Sequence, residues 1–234
     1  MQRAVSLNEL KNAAAESAAA LLQNGMIVGL GSGSTATLAV KAIGKRVEQG
    51  LEIIGIPTSE QTAEVARELR IPLSTMAEHE QIDMTIDGAD EVELGTLNLI
   101  KGRGGALLRE KIVASASARF VIVVDETKLV DHLAVRDAIP VEVVPFGWQA
   151  TAKRLRHLGA NASPRLRPDG QFYITDGGHY ILDCGFTEIR SAHDLERALD
   201  SVVGLVEHGL FLGMTTEVIV GSAQGVMVLS PKQL

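Results

Sequence analysis

The sequence predicts a doubly wound, mostly parallel α/β sheet followed by a smaller α+β module, and three observations carry that expectation. Short apolar runs without alternation recur through the first half, as in strands buried on both faces. Helix-like stretches separate them, and parallel strands need such crossovers. From about residue 131 the texture changes to strands, a glycine-rich turn and further helical stretches.

Each element follows in order. The alanine-rich stretch over 12–22, flanked by Lys11, carrying Glu16 and lacking a basic leader, reads as an amphipathic helix rather than a secretory signal. Residues 26–30 form a buried strand, Gly31-Ser32-Gly33 a turn, and Thr35 to Val47 a helix. Residues 51–56 read as a strand, 59–70 as a helix, Ile71 to Leu73 as a short strand interrupted by Pro72, and Ile82 to Ile86 as a strand ending at Asp87. Asn98 to Ile100 is brief and apolar, Leu107 to Ser117 helical, and Phe120 to Val124 a strand ending at Asp125. Ligands of such sheets bind at the carboxyl ends of the strands, so Ser32, Thr58, Asp87, Lys101 and Asp125 should converge on one rim.

In the later part, Ile139 to Val144 reads as a strand and 148–158 as a helix. Gln171 to Thr175 and Tyr180 to Asp183 read as a hairpin around Asp176-Gly177-Gly178, followed by a helix over 193–203 and a strand at Leu205 to Glu207. That β-α-β-β-α-β order suggests a ferredoxin-like module. Apolar strands at 216–220 and 225–229 flank a turn and return to the first sheet. The expected division is a Rossmann-like part, 1–130 plus 210–234, and a ferredoxin-like part, 131–209.

Composition narrows the function classes. With 234 residues and 46% apolar content, a packed core is expected. A net charge of -7 without a long basic run argues against nucleic-acid or membrane partners and for a small ligand. Cys184 is the only cysteine, so no intrachain disulfide forms, and a reducing cytoplasm fits. His79, His132, His157, His179, His193 and His208 lack paired ligand spacing, so a metal site is not supported; no cofactor is expected either.

Three motifs carry chemistry. In Gly29-Leu30-Gly31-Ser32-Gly33-Ser34-Thr35, a strand runs into a helix, where backbone amides and the helix dipole favour phosphate; an ordinary Ser/Thr-capped turn is the other reading. The second strand ends in Ile56-Pro57-Thr58 without an acid for a ribose hydroxyl, which argues against a nicotinamide cofactor. Asp87-Gly88-Ala89-Asp90 sets two carboxylates on a tight turn, able to bind or exchange protons with sugar hydroxyls or simply to cap the next segment, and Glu91 is read as solvated. Lys101-Gly102-Arg103-Gly104-Gly105 lets backbone N–H groups approach an anion, with Lys101 adding a charge that stabilises developing negative oxygen. Glu110, early in the next helix, is the candidate base; apolar neighbours raise its pKa while Lys101 and the helix terminus lower it. Arg109 and Lys111 read as surface charges or as stems packed on apolar neighbours, and Lys128 on the same rim either reaches a phosphate or hydroxyl or lies in a solvated loop.

These residues, together with Val141-Glu142-Val143-Val144-Pro145, make the chain resemble ribose-5-phosphate isomerases of the A type nearly from end to end. The resemblance implies aldose–ketose isomerisation of a sugar phosphate, with Glu110 as proton acceptor and Asp87 and Lys101 beside it. It implies a substrate site of Ser32, Gly33, Ser34, Thr35, Asp87, Gly88, Ala89, Asp90, Lys101, Gly102, Arg103 and Gly104, with Lys11 and Lys128. It also implies a metal-independent homodimer or homotetramer. Arg103 stands where many relatives have glycine, and Thr175-Asp176-Gly177-Gly178-His179 differs from the usual Thr-Asp-Asn-Gly-Asn at a turn expected to be remote from chemistry. The rival is a sugar-phosphate sensor, but fewer than thirty residues precede the first strand, too few for a winged helix, and Glu110 would have no task there.

Overall fold

The computed structural model describes residues 6–231. Helix α1 (Leu7–Ala19) starts earlier than its alanine content suggests. The Ser6 hydroxyl accepts the Glu9 N–H while the Glu9 carboxylate accepts the Ser6 N–H at 2.7 Å, a capping box that fixes the first turn. There follow β1 (Ile27–Leu30), α2 (Ser34–Glu48), β2 (Ile54–Pro57), α3 (Glu60–Glu68) and β3 (Ile82–Asp87). Next come the short β4 (Glu91–Glu93) and β5 (Leu99–Ile100), then α4 (Leu107–Ser115), β6 (Ser117–Asp125) and β7 (Leu129–Val130). Ile71 to Leu73 is not a strand; Leu73 makes one isolated bridge to Gly55, since Pro72 has no N–H to extend a ladder.

The later elements are β8 (Ile139–Val143), α5 (Trp148–His157), β9 (Asn161–Pro164), β10 (Tyr180–Gly185), α6 (Ala192–Asp200) and β11 (Leu205–His208). The chain ends with β12 (Leu210–Phe211), β13 (Glu217–Ser222) and β14 (Gly225–Leu229).

The central sheet has the order β14-β13-β6-β3-β1-β2, with every pair parallel except the edge strand β14. Val121 and Val123 of β6 pack under α1 and α2, while Phe120, Ile122 and Val124 pack on the other face against Ala114 of α4 and Phe211. Both faces are therefore covered, which explains strands that read as unbroken apolar runs. Between β1 and β3 the chain reverses its direction of winding, the crevice where such sheets bind ligands.

The small module is a four-stranded sheet, β11-β8-β10-β9, with α5 and α6 packed on it. Its first, second, third and fourth strands thus lie in the order 4-1-3-2 of a ferredoxin-like fold. One strand differs from expectation. The partner of β10 is Asn161–Pro164, not Gln171 to Thr175. The 171–175 segment instead makes single bridges, because its turn is drawn out of the sheet: Thr175 Oγ1 and His179 Nδ1 both bind Glu142 Oε1, at 2.8 and 2.9 Å. A third sheet, β12-β5-β4-β7, was not legible, its strands being too short to show a period.

Candidate active site

The site grows from the switch point. Gly31 follows β1 directly, and a Cβ there would lie 2.2 Å from Asp87 Oδ1, so only glycine lets the Asp87 side chain lie across it. In that position Asp87 Oδ1 accepts the N–H groups of Ser32 at 3.1 Å and Gly88 at 2.7 Å. Asp87 is wholly buried.

Lys101 reaches the same spot from a different sheet. Its own N–H binds Gly209 O at 2.9 Å, tying the loop after β5 to the start of β12. Its ammonium lies 2.9 Å from Asp87 Oδ2 and 3.2 Å from Glu110 Oε2, and donates to Gly88 O at 2.7 Å. Lys101 and Glu110 are 2% and 3% exposed. Glu110 sits at the start of α4, whose cap residue Ala106 offers no side-chain hydrogen bond. Gly102 and Gly105 have φ of +103° and +84°, and side chains there would run into Leu107 and Tyr173.

This triad sets the electrostatics. Burial pushes the Glu110 carboxyl up to about 8 against the pull of Lys101, and nearby Asp87 adds to the rise. Burial also pushes Asp87 upward, opposed by Lys101 and by its two backbone N–H bonds. Burial pulls the Lys101 ammonium down, yet Asp87 and Glu110 outweigh this and hold it above the ordinary lysine range. Two carboxyl groups and one ammonium out of water favour a neutral set, with one carboxyl ionised and the other protonated. Asp87 has the amide donors and Glu110 has none, so the shared proton belongs to Glu110. Neither Asp87 Oδ2 nor Glu110 Oε2 has a further hydrogen-bond partner among the described residues.

A cavity of about 310 Å³ opens over the triad. It is lined by Lys11, Ser32, Gly33, Ser34, Thr35, Gly88, Ala89, Asp90, Lys101, Gly102, Arg103, Gly104, Glu110 and Lys128. Every residue expected in the substrate site lies there except Asp87, which sits beneath and holds Lys101. A larger groove of about 670 Å³ lies beside α3 and α4, but no acid or ammonium in its walls is buried.

The lining residues have distinct situations. Ser32 has its hydroxyl engaged by Thr58, Ser59 and Thr62 at 2.7, 2.8 and 3.1 Å, so it builds the wall and offers no free donor. Ser34 and Thr35 open α2, whose cap residue Gly33 provides no side-chain acceptor, so the first-turn amides face the cavity uncapped. Lys11 lies 3.8 Å from Asp125, while Lys128 has no acidic partner among the described residues. Asp90 Oδ2 accepts the Arg103 N–H at 3.0 Å.

Three expectations are corrected or refined. Glu91 is not solvated: it is fully buried and accepts the N–H groups of Ala134, Arg136 and Asp137 at 2.6, 2.8 and 3.0 Å. Lys111 is largely buried, donating to Glu207 at 2.5 Å and His208 O at 2.7 Å. The 175–179 turn reaches the helix that carries Glu110, since Asp176 accepts the Glu60 N–H at 2.9 Å and lies 3.6 Å from Arg109 of α4, although none of its residues lines the cavity. Sequence reading also missed Arg165 and Tyr173. Both bind carbonyls of the 102–104 loop, and no spacing signal links positions more than sixty residues apart.

A Rossmann-like sheet with an uncapped helix terminus, a glycine loop and a buried carboxyl–ammonium triad at its switch point defines an α/β enzyme of acid–base type acting on a small anion. The chain belongs to the ribose 5-phosphate isomerase A (phosphoriboisomerase A) family, whose model matches residues 54–225. It is 55% identical over 227 residues to the ribose-5-phosphate isomerase A of Gloeobacter violaceus, covering 97% of this chain and 98% of that protein. Among solved structures, the ribose 5-phosphate isomerase A of Methanocaldococcus jannaschii shares 41% identity with a TM-score of 0.92, covering 96% of this chain and all of that one. A D-ribose-5-phosphate isomerase in complex with phospho-erythronic acid shares 38% identity with a TM-score of 0.93, covering 97% and 100%.

Proposed function

We propose that the chain interconverts D-ribose 5-phosphate and D-ribulose 5-phosphate through an enediolate. The observation that carries this reading is the Lys101 ammonium held between two buried carboxyl groups, at 2.9 and 3.2 Å, under an anion-sized cavity. A D-ribose-5-phosphate isomerase 38% identical to this chain has been solved in complex with phospho-erythronic acid, a sugar-acid phosphate.

The phosphate sits against the α2 terminus at Ser34 and Thr35, with Lys11 and Lys128 contributing charge from the rim. Asp87, directly beneath the cavity, serves as acid and base in opening the furanose by way of the Lys101 ammonium that it holds at 2.9 Å, and Asp90 orients hydroxyls. Glu110 removes the proton from C2 of the open aldose and returns it to C1, while Lys101 and the amides of the glycine loop stabilise the oxygens that become negative. A carboxyl with its pKa near 8 suits this exchange, because as a carboxylate it is a stronger base than an exposed glutamate.

The proposal extends to a catalytic part over 1–130 with 210–234, and a smaller part over 131–209 that carries oligomer contacts. The assembly is a homodimer or homotetramer working in the cytoplasm without metal or cofactor. A sugar-phosphate sensor would have no use for Glu110.

The decisive experiment is Glu110→Gln assayed with ribose 5-phosphate in the presence of a chelator. General-base catalysis is worth about 10²- to 10⁴-fold, so turnover should fall by at least the lower figure while substrate binding persists. A Gln variant that turns over normally ends the Glu110 assignment, and loss of wild-type turnover in chelator ends the metal-free one.

A further inference from the structure

Three consecutive carbonyls of the glycine loop are gripped from behind by the small module. Arg165 donates from one guanidinium nitrogen to Gly102 O at 3.0 Å and to Arg103 O at 2.9 Å, and the Tyr173 hydroxyl donates to Gly104 O at 3.1 Å. Arg165 is itself anchored: its other nitrogens form a two-pronged pair with Asp183, one at 3.0 Å, and its own N–H binds Ile181 O at 2.8 Å. Its guanidinium lies 6.0 Å from the centre of the Tyr173 ring.

A peptide group is one hydrogen-bonding unit with an acceptor at one end and a donor at the other. A cation on the carbonyl polarises it and strengthens the N–H across the same bond. The peptide whose carbonyl is Gly102 O carries the Arg103 N–H, which binds Asp90 Oδ2 at 3.0 Å. The peptide whose carbonyl is Arg103 O carries the Gly104 N–H, which has no acceptor among the described residues and belongs to a cavity-lining residue. One guanidinium thus acts on two donors of the site, one holding a carboxylate and one open to ligand.

We propose that Arg165 is a positioning residue of the isomerase reaction, which through the Gly102 carbonyl steadies the Arg103 N–H on Asp90 and through the Arg103 carbonyl fixes and strengthens the Gly104 N–H that meets the substrate's negative oxygen. The proposal rests on the functional reading above. Asp183 supports it by fixing the guanidinium plane, a task for which lysine is no substitute, having a point charge in place of a fork.

The test uses Arg165→Ala and Arg165→Lys in the full chain, with kcat, KM and melting temperature compared with wild type. Deleting a direct oxyanion donor costs about 10²- to 10³-fold, so misaiming one should lower kcat in Arg165→Ala at least tenfold, with a smaller change in KM. Guanidinium ion at tens of millimolar should restore part of that kcat, with no gain in wild type or in Glu110→Gln. Should Arg165→Ala fail to fold, Arg165→Lys decides: it should melt near wild type and still lose kcat. A folded Arg165→Ala enzyme with wild-type kcat, a loss that guanidinium does not relieve, or a fully active Arg165→Lys overturns the proposal. Full loss in Glu110→Gln with no loss in the Arg165 variants would sink this inference while leaving the reaction assignment intact.

Discussion

The proton on Glu110 is the residue-scale fact with most consequences. Its folded pKa of about 8 lies above the ordinary 4.5, so between those pH values the native state holds a proton that the unfolded chain has released. Glu110 therefore contributes full stability below pH 4.5, and that contribution is lost as pH rises to about 8. Gln cannot ionise and escapes the loss. Glu110→Gln should gain melting temperature relative to wild type on going from pH 5 to pH 9, and kcat/KM of the wild type should climb through the same interval as the base form appears. A melting difference that stays constant with pH would show that the carboxyl titrates normally. At this scale the sequence was informative about identity and silent about state. Lys101, Asp87 and Glu110 were legible as a set, but which one holds the proton depends on burial and on the amides of Ser32 and Gly88, reached only through the fold.

At the scale of elements, the loop from Lys101 to Ala106 joins a two-residue strand to the catalytic helix, and its glycines set the aim of α4. Gly105 has φ +84° and a Cβ there would lie 2.3 Å from the Tyr173 hydroxyl. Gly95 has φ +91° and open space around it. Replacing either by Ala places an L side chain in the left-handed region, at a cost of about 1–2 kcal/mol. Gly105→Ala alone also displaces Tyr173 from Gly104 O and shifts the start of α4. Gly95→Ala should therefore lose only the melting temperature due to backbone strain and keep its kcat, while Gly105→Ala melts lower still and loses kcat by tenfold or more; equal activities would detach the loop from catalysis. Elements of this kind mark the limit of pattern reading. The long strands and α2 to α4 were legible because both faces of the sheet are buried and the apolar runs are unbroken. β9 was not, since Asn-Ala-Ser-Pro at a sheet edge has neither apolar period nor a full set of N–H donors.

Over the whole molecule, the site is an assembly of distant segments, and the link that the sequence concealed best is Glu91. It leaves the Asp87 turn pointing into the protein and receives three backbone N–H groups from residues 134–137, where the chain passes from β7 of the third sheet to β8 of the small module. Ala134 takes φ +61° there, a left-handed conformation in which its N–H meets Glu91 at 2.6 Å. A carboxylate has acceptors on both oxygens, whereas an amide side chain has one oxygen and an NH₂ that cannot accept. Glu91→Gln therefore strands at least one partly buried backbone N–H against a buried side chain, a loss of about 1 kcal/mol or more. For a chain of this size each kcal/mol shifts melting by about 2–4 °C, so the variant should melt several degrees lower. Because the same crossing sets how β8, β10 and Arg165 meet the glycine loop, kcat should fall as well, though less than in Glu110→Gln. A Glu91→Gln protein with the melting temperature of wild type would mean that this buried carboxylate does not hold the crossing in place.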